Sequence, residues 1–121
     1  MATVFDRIIA RELPARIAYE SDRVIVFADH RPKDKVHLLI VPKEVYTDFH
    51  VTPPDVMTMM CDTAKLLAER LGIANHYRIQ MNIGYCQEVA HVHMHFLSNQ
   101  GGEALKQMYQ VQANGPESTS R

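Results

Sequence analysis

Seven residues, His91-Val92-His93-Met94-His95-Phe96-Leu97, alternate polar and apolar almost without interruption. In a strand, side chains i, i+2 and i+4 leave the same face at intervals of about 6.5–7 Å. The three imidazoles would therefore line one side of a strand while Val92, Met94 and Phe96 bury on the other. Such a strand needs an apolar cover, and residues 52–72 supply one. Thr52-Pro53-Pro54-Asp55 is a helix start, with a capping hydroxyl at Thr52, proline at the first helical position and a carboxylate at the dipole-positive end. Val56, Met60, Thr63, Leu67 and Leu71 recur at spacings of three or four up to Gly72, and Ala64 and Ala68 permit close approach to a sheet. The uncovered histidines are then free for chemistry. With an ordinary pKa of about 6.5, histidine can act near neutral pH as nucleophile, acid, base or metal ligand.

The remaining segments suit this frame. Val4, Phe5, Ile8 and Ile9 are spaced for one face of a short N-terminal helix, stopped by Pro14. Residues 16–20 and 24–28 read as a hairpin about Ser21-Asp22, residues 37–41 as a third strand, and residues 77–81 and 91–97 as two more. Strands joined by short links predict a five-stranded antiparallel sheet with one long helix on a face, an α+β fold. Residues 1–110 form one domain in this reading, with 111–121 (VQANGPESTSR) a loose tail. A chain of 121 residues with 46% apolar content has room for one core. Net charge is −1 and the basic residues are scattered, which argues against a nucleic-acid groove. No run is apolar enough to span a bilayer, and the expected address is cytoplasmic. Cys61 and Cys86 are expected as free thiols, Cys61 in core packing.

The run HVHMHFL, with Asn82 and Gln87 upstream, resembles the signature of the histidine triad superfamily. VFDRIIARELPARIAYESDRVIVFAD and HLLIVPK resemble that family's N-terminal helix, first hairpin and third strand, so the likeness covers about Val4 to Leu97. The branch most similar is the histidine triad nucleotide-binding proteins, small nucleoside phosphoramidate hydrolases. The resemblance implies a homodimer with a continuous sheet, a purine ribonucleotide as substrate or product, and no metal or cofactor in catalysis. His93 matches the nucleophile that attacks the α-phosphorus, forming a nucleotidyl-imidazole that water hydrolyses. His91 matches the group that orients it, His95 a donor to phosphate oxygens, and His37 a fourth histidine beneath the triad. Asn82 and Gln87 match residues at the phosphate end. Asp29 matches the carboxylate that accepts from both ribose hydroxyls. Phe5, Ile8, Phe27, His30 and Leu39, with Val4, match the base slot.

Several positions depart from the pattern. His30 stands where an aliphatic residue is usual, to stack on the base or face water. Ala90 replaces a frequent tyrosine, and SNQGGEALKQMYQ lacks the glycine pair and arginine that commonly follow the triad. Glu88 stands near the leaving group, either as the acid for a departing amine or as a solvated loop residue. Competing functions are a dinucleoside polyphosphate hydrolase, a zinc-binding module on the strand histidines, and a nucleotide-binding adaptor. His50 and His76 receive no role. Met57, Met59, Met60 and Met81 read as core or interface filler, and Arg31, Lys33 and Lys35 as a solvated loop.

Overall fold

The computed structural model describes residues 2–113. Its elements run α1 (Val4–Ile9), β1 (Ile17–Glu20), β2 (Val24–Ala28), β3 (Val36–Pro42), α2 (Pro54–Leu71), β4 (Arg78–Gln80), a 3-10 turn (Gly84–Cys86), β5 (Met94–Ser98) and α3 (Gly102–Ala113). The five strands form one antiparallel sheet in the order β1-β2-β3-β5-β4.

Strand β3 is central and buried along its whole length. Period-two alternation splits it between two cores. Val36, Leu38 and Ile40 join Val24, Val26, Met94 and Phe96 beneath Val56, Met60, Ala64, Leu67 and Leu71 of α2. Leu39 and Val41 join Ile25 and Phe27 on the other face, under Phe5 and Ile8 of α1. The helix expected to cross the sheet does so, and its C-terminus closes as a Schellman turn: Gly72 takes φ +72°, its N–H donates to the Glu69 carbonyl (3.1 Å), and the Ile73 N–H donates to Ala68 (2.9 Å). Thr63 stays buried by donating its hydroxyl to Met59 (2.8 Å).

Local details differ from the sequence expectations. Pro53, not Thr52, is the N-cap of α2, without a side-chain cap, and the Thr52 hydroxyl donates instead to the Asp48 carbonyl (2.7 Å). Helix α1 ends before Pro14 because Arg11 turns to φ +64°. At its start Thr3 and Asp6 form a reciprocal capping box. Cys61 is exposed on the outer side of α2 rather than in the core. Strand β5 begins at Met94, since the Val92 N–H is taken by the Tyr46 carbonyl (2.7 Å) in the loop after β3 rather than by a neighbouring strand.

The largest difference is α3. Leu105 is buried and Met108 and Tyr109 pack on the main core, while the Arg16 guanidinium lies 5.0 Å over the Tyr109 ring. Helix α3 runs through Ala113, so the first part of the expected tail is helical, and residues 114–121 lie outside the described residues.

Phe96 is fully buried and stacked on Tyr77 at 4.9 Å. Phe96→Ala is expected to cost about 3–5 kcal/mol in urea unfolding. Cys61→Ser, on an exposed site, should stay within about 0.5 kcal/mol of the wild type.

Candidate active site

Strand register assembles the site on the face opposite α2. Phe27 pairs with Leu39, Leu39 with His95, and His95 with Gln80, so these four form a row across four strands. His37 lies one pleat along β3 from Leu39 and pairs with Leu97. His93 lies one pleat before His95, just ahead of the β5 ladder. A cavity of about 600 Å³ opens over this face, with Phe5 and Ile8 of α1 and Val89 of the 82–90 loop as its apolar walls.

Main-chain groups decide which ring nitrogens carry protons. A carbonyl can only accept, so His93 Nδ1–H donates to the His91 carbonyl (2.8 Å) and the lone pair remains on Nε2. His91 Nε2–H likewise donates to the Pro42 carbonyl (2.7 Å). An amide can only donate, so the Lys33 N–H (3.1 Å) makes His37 Nδ1 an acceptor and places the proton on Nε2. His37 Nε2–H then donates to His95 Nδ1 (2.9 Å), which leaves the His95 Nε2–H as a donor. The result is one free lone pair, on His93, beside one free N–H, on His95. Ring centroids of these two lie 5.1 Å apart. Phe5 meets the His93 ring edge-on at 5.0 Å, which fixes its plane.

Burial keeps the His37, His93 and His95 rings neutral. It holds His93 below the ordinary histidine value, with the His91 carbonyl opposing and the His91 ring adding to the effect. His95 is pushed down to about 4 by burial first and then by His93 and His37. His37 is also lowered by burial, against the pull of Asp29. In the unfolded chain these rings take up protons as the pH falls through about 6.5. In that window the unfolded state binds more protons, so stability decreases with falling pH. Urea midpoints should accordingly drop between about pH 7 and 5, and His95→Asn should flatten that slope. An unchanged slope in the variant would contradict a neutral His95.

The cavity gathers nearly all the residues singled out from sequence. Phe5, Ile8, Phe27, Asp29, His30, His37, Leu39, Asn82, Glu88, His93 and His95 line it. Asp29 accepts from the Arg31 N–H (2.8 Å) and stands 3.4 Å from His37 Nε2. The His30 side chain is 83% exposed, at the rim, and Glu88 is exposed as well. Two residues stand apart. Gln87 ties its loop to the one after β3, its amide donating to the carbonyls of Thr47 and Val89. His91 lies fully buried behind His93. Asp29, His37 and His95 bring ligand atoms within 4.8 Å of one another. Two of these residues, His37 and His95, are joined by the 2.9 Å ring hydrogen bond. Unforeseen from sequence were the Lys33 amide and Pro42 carbonyl, since a main-chain group carries no residue signature. Asp6, 3.6 Å from His91 Nδ1, was visible only as a charge on a short helix.

Residues 10–102 match the HIT domain. A purine nucleoside phosphoramidase of Escherichia coli is 38% identical over 112 residues, covering 88% of this chain and 92% of its own length. An adenylylsulfatase HINT1 of Arabidopsis thaliana is 35% identical over 105 residues, covering 78% of this chain and 69% of its own length. The structure of a HIT family hydrolase from Clostridium thermocellum superposes with a TM-score of 0.75 at 39% identity, covering 79% of this chain and 89% of the other. With its sheet order, its histidine row and these likenesses together, the chain belongs to the histidine triad (HIT) family.

Proposed function

We propose that the chain hydrolyses nucleoside 5′-phosphoramidates and related acyl-nucleotides at the α-phosphorus, releasing a nucleoside monophosphate. The observation that carries this reading is the His93 ring, with its proton held by a main-chain carbonyl and its Nε2 lone pair free. That nitrogen attacks phosphorus and displaces the amine, or the carboxylate of an acyl-nucleotide, giving a nucleotidyl-His93 intermediate. Water then cleaves the P–N bond and restores the ring, so one difficult displacement becomes two easier ones. His95 Nε2–H donates to a non-bridging phosphate oxygen as charge builds on it. His37 passes its own orientation to His95, and Asn82 stands at the phosphate end of the cavity. Asp29 accepts from the ribose hydroxyls, and Phe5, Ile8, Phe27 and Leu39 receive the base, with His30 at the outer edge. In this reading Glu88, exposed at the cavity rim, relays a solvent proton to a departing amine. Gln87 braces the 82–90 loop through the Thr47 and Val89 carbonyls. The names of two relatives, a purine nucleoside phosphoramidase and an adenylylsulfatase, support the same substrate class.

The proposal includes a homodimer joined through β4. That strand pairs with β5 along one side and is exposed at all three residues, with Ile79 40%, Ile83 51% and Tyr85 100% exposed nearby. An open sheet edge with exposed apolar side chains beside it is a template for pairing with a second copy.

Release of nucleoside monophosphate from an adenosine phosphoramidate, measured with excess chelator, tests the reaction. Turnover should persist in the wild type and fall by about a thousandfold or more in His93→Ala. Cleavage of a diadenosine polyphosphate instead would favour that substrate, and loss of activity on chelation would favour a metal. Light scattering should give the wild type twice the chain mass and Ile79→Lys a shift toward the single-chain mass.

A further inference from the structure

His91 has no solvent exposure, and its two ring nitrogens have unequal surroundings. Nε2 must carry a proton, because it contacts the Pro42 carbonyl at 2.7 Å. Nδ1 is buried without a hydrogen-bond partner and lies 3.6 Å from Asp6 Oδ1. Were the ring neutral, Nδ1 would aim a lone pair at a carboxylate from a position closed to water. Two acceptors facing each other repel, and the buried ring nitrogen has no other partner to turn to. A proton on Nδ1 removes the conflict and makes the contact an ion pair. A proton on the carboxyl is the weaker solution, since Asp6 Oδ2 accepts from the Thr3 N–H (2.9 Å), a bond that favours the ionised form.

We propose that Asp6 holds His91 as an imidazolium and so acts as a positioning residue for the triad, reaching it from α1. One carboxylate serves two ends: Oδ2 closes the capping box that starts α1, and Oδ1 pairs with the first triad histidine. The groups facing His91 are Asp6 from α1, the His93 ring two residues on, and from β3 the Pro42 carbonyl. Lys43, next to Pro42, is engaged with Glu20 at 2.7 Å. The charge on His91 lies behind the peptide carbonyl that holds the His93 proton. Positive charge there disfavours a second proton on His93, in the direction already given for that pair. Asp6 thereby keeps the nucleophilic lone pair available at mildly acidic pH. Phe5, adjacent to Asp6, touches both rings, at 6.0 Å from His91 and 5.0 Å from His93, so docking of α1 and protonation of His91 occur together.

The experiment uses the full chain with 15N-histidine, comparing wild type, Asp6→Asn and Asp6→Glu. Asparagine keeps the size and the oxygen that caps Thr3, and glutamate keeps both the charge and the capping-box pattern. Ring-nitrogen spectra near neutral pH should show wild-type His91 protonated on both nitrogens. Asp6→Asn should show the neutral Nε2–H form, and Asp6→Glu should restore the imidazolium. The kinetic readout rests on the proposed phosphoramidate reaction. In Asp6→Asn the acid limb of kcat/KM should move up by about half to one pH unit. Asp6→Glu should return the limb to its wild-type position. A neutral His91 in the wild type, or a superimposable pH profile in Asp6→Asn, would overturn the inference. Failure of the wild type to turn over would sink the proposed reaction alone, because the nitrogen spectra decide the ion pair without substrate.

Discussion

Everything in this molecule depends on β3 being buried on both faces. Its neighbours β2 and β5 saturate its backbone, and strict alternation then commits Val36, Leu38 and Ile40 to the helix side and His37, Leu39 and Val41 to the other. A one-residue slip would exchange the two sets and move His37 beneath α2. The large apolar core under α2 therefore sets the register of the site. That core contains Phe96, Met60 and Leu67 at no exposure, so a slip would bury the polar His37 ring among them at a cost of several kcal/mol. Stability and site geometry are in this sense one constraint.

On the site face rigid main-chain dipoles orient the rings that meet the cavity. A carbonyl at His91 and an amide at Lys33 specify the tautomers of His93 and His37, a carbonyl at Pro42 fixes the Nε2 proton of His91, and the order passes from His37 to His95. Burial then suppresses protonation of the last two triad rings, so that a nucleophile and a donor coexist 5.1 Å apart at the same pH. Two histidines in water at that distance would share no such division of labour. Apolar walls from α1 and the 82–90 loop thus contribute chemically, through desolvation, as well as by shape.

Much of this was legible in the chain. The alternation at 91–97, the apolar stripe of 56–71 and the Ser21-Asp22 turn are local patterns, and each produced its element. Cavity residues such as Asp29, Leu39 and Phe27 were legible only by family resemblance, because a loop acid or a strand apolar residue has no local mark of function. Helix α3 was missed for a physical reason. Its apolar residues Leu105, Met108 and Tyr109 occupy a narrow stripe among polar neighbours, and tertiary contact with β1 and the Arg16 side chain, not propensity, makes the segment a helix. Cys61 misled in the same way: cysteine is usually buried, yet position 61 points away from the sheet between Met60 and Asp62. The capping role expected of Thr52 went instead to a turn with Asp48, since Pro53 and Pro54 give the first helical positions no N–H for a hydroxyl to satisfy.

The anchors of the histidine row are peptide groups, and this shapes how the sequence is free to drift. Replacing the side chain of Lys33 leaves its amide where it was, and replacing Pro42 leaves its carbonyl on His91 so long as the backbone path is kept. Selection on the orientation of the rings therefore acts on backbone course rather than on residue identity at these two positions. The 29–35 loop can accordingly exchange its charged side chains, and with them the field met by an approaching anion, while the tautomers beneath stay unchanged. Specificity can evolve at the rim of this site without disturbing the proton arrangement at its floor.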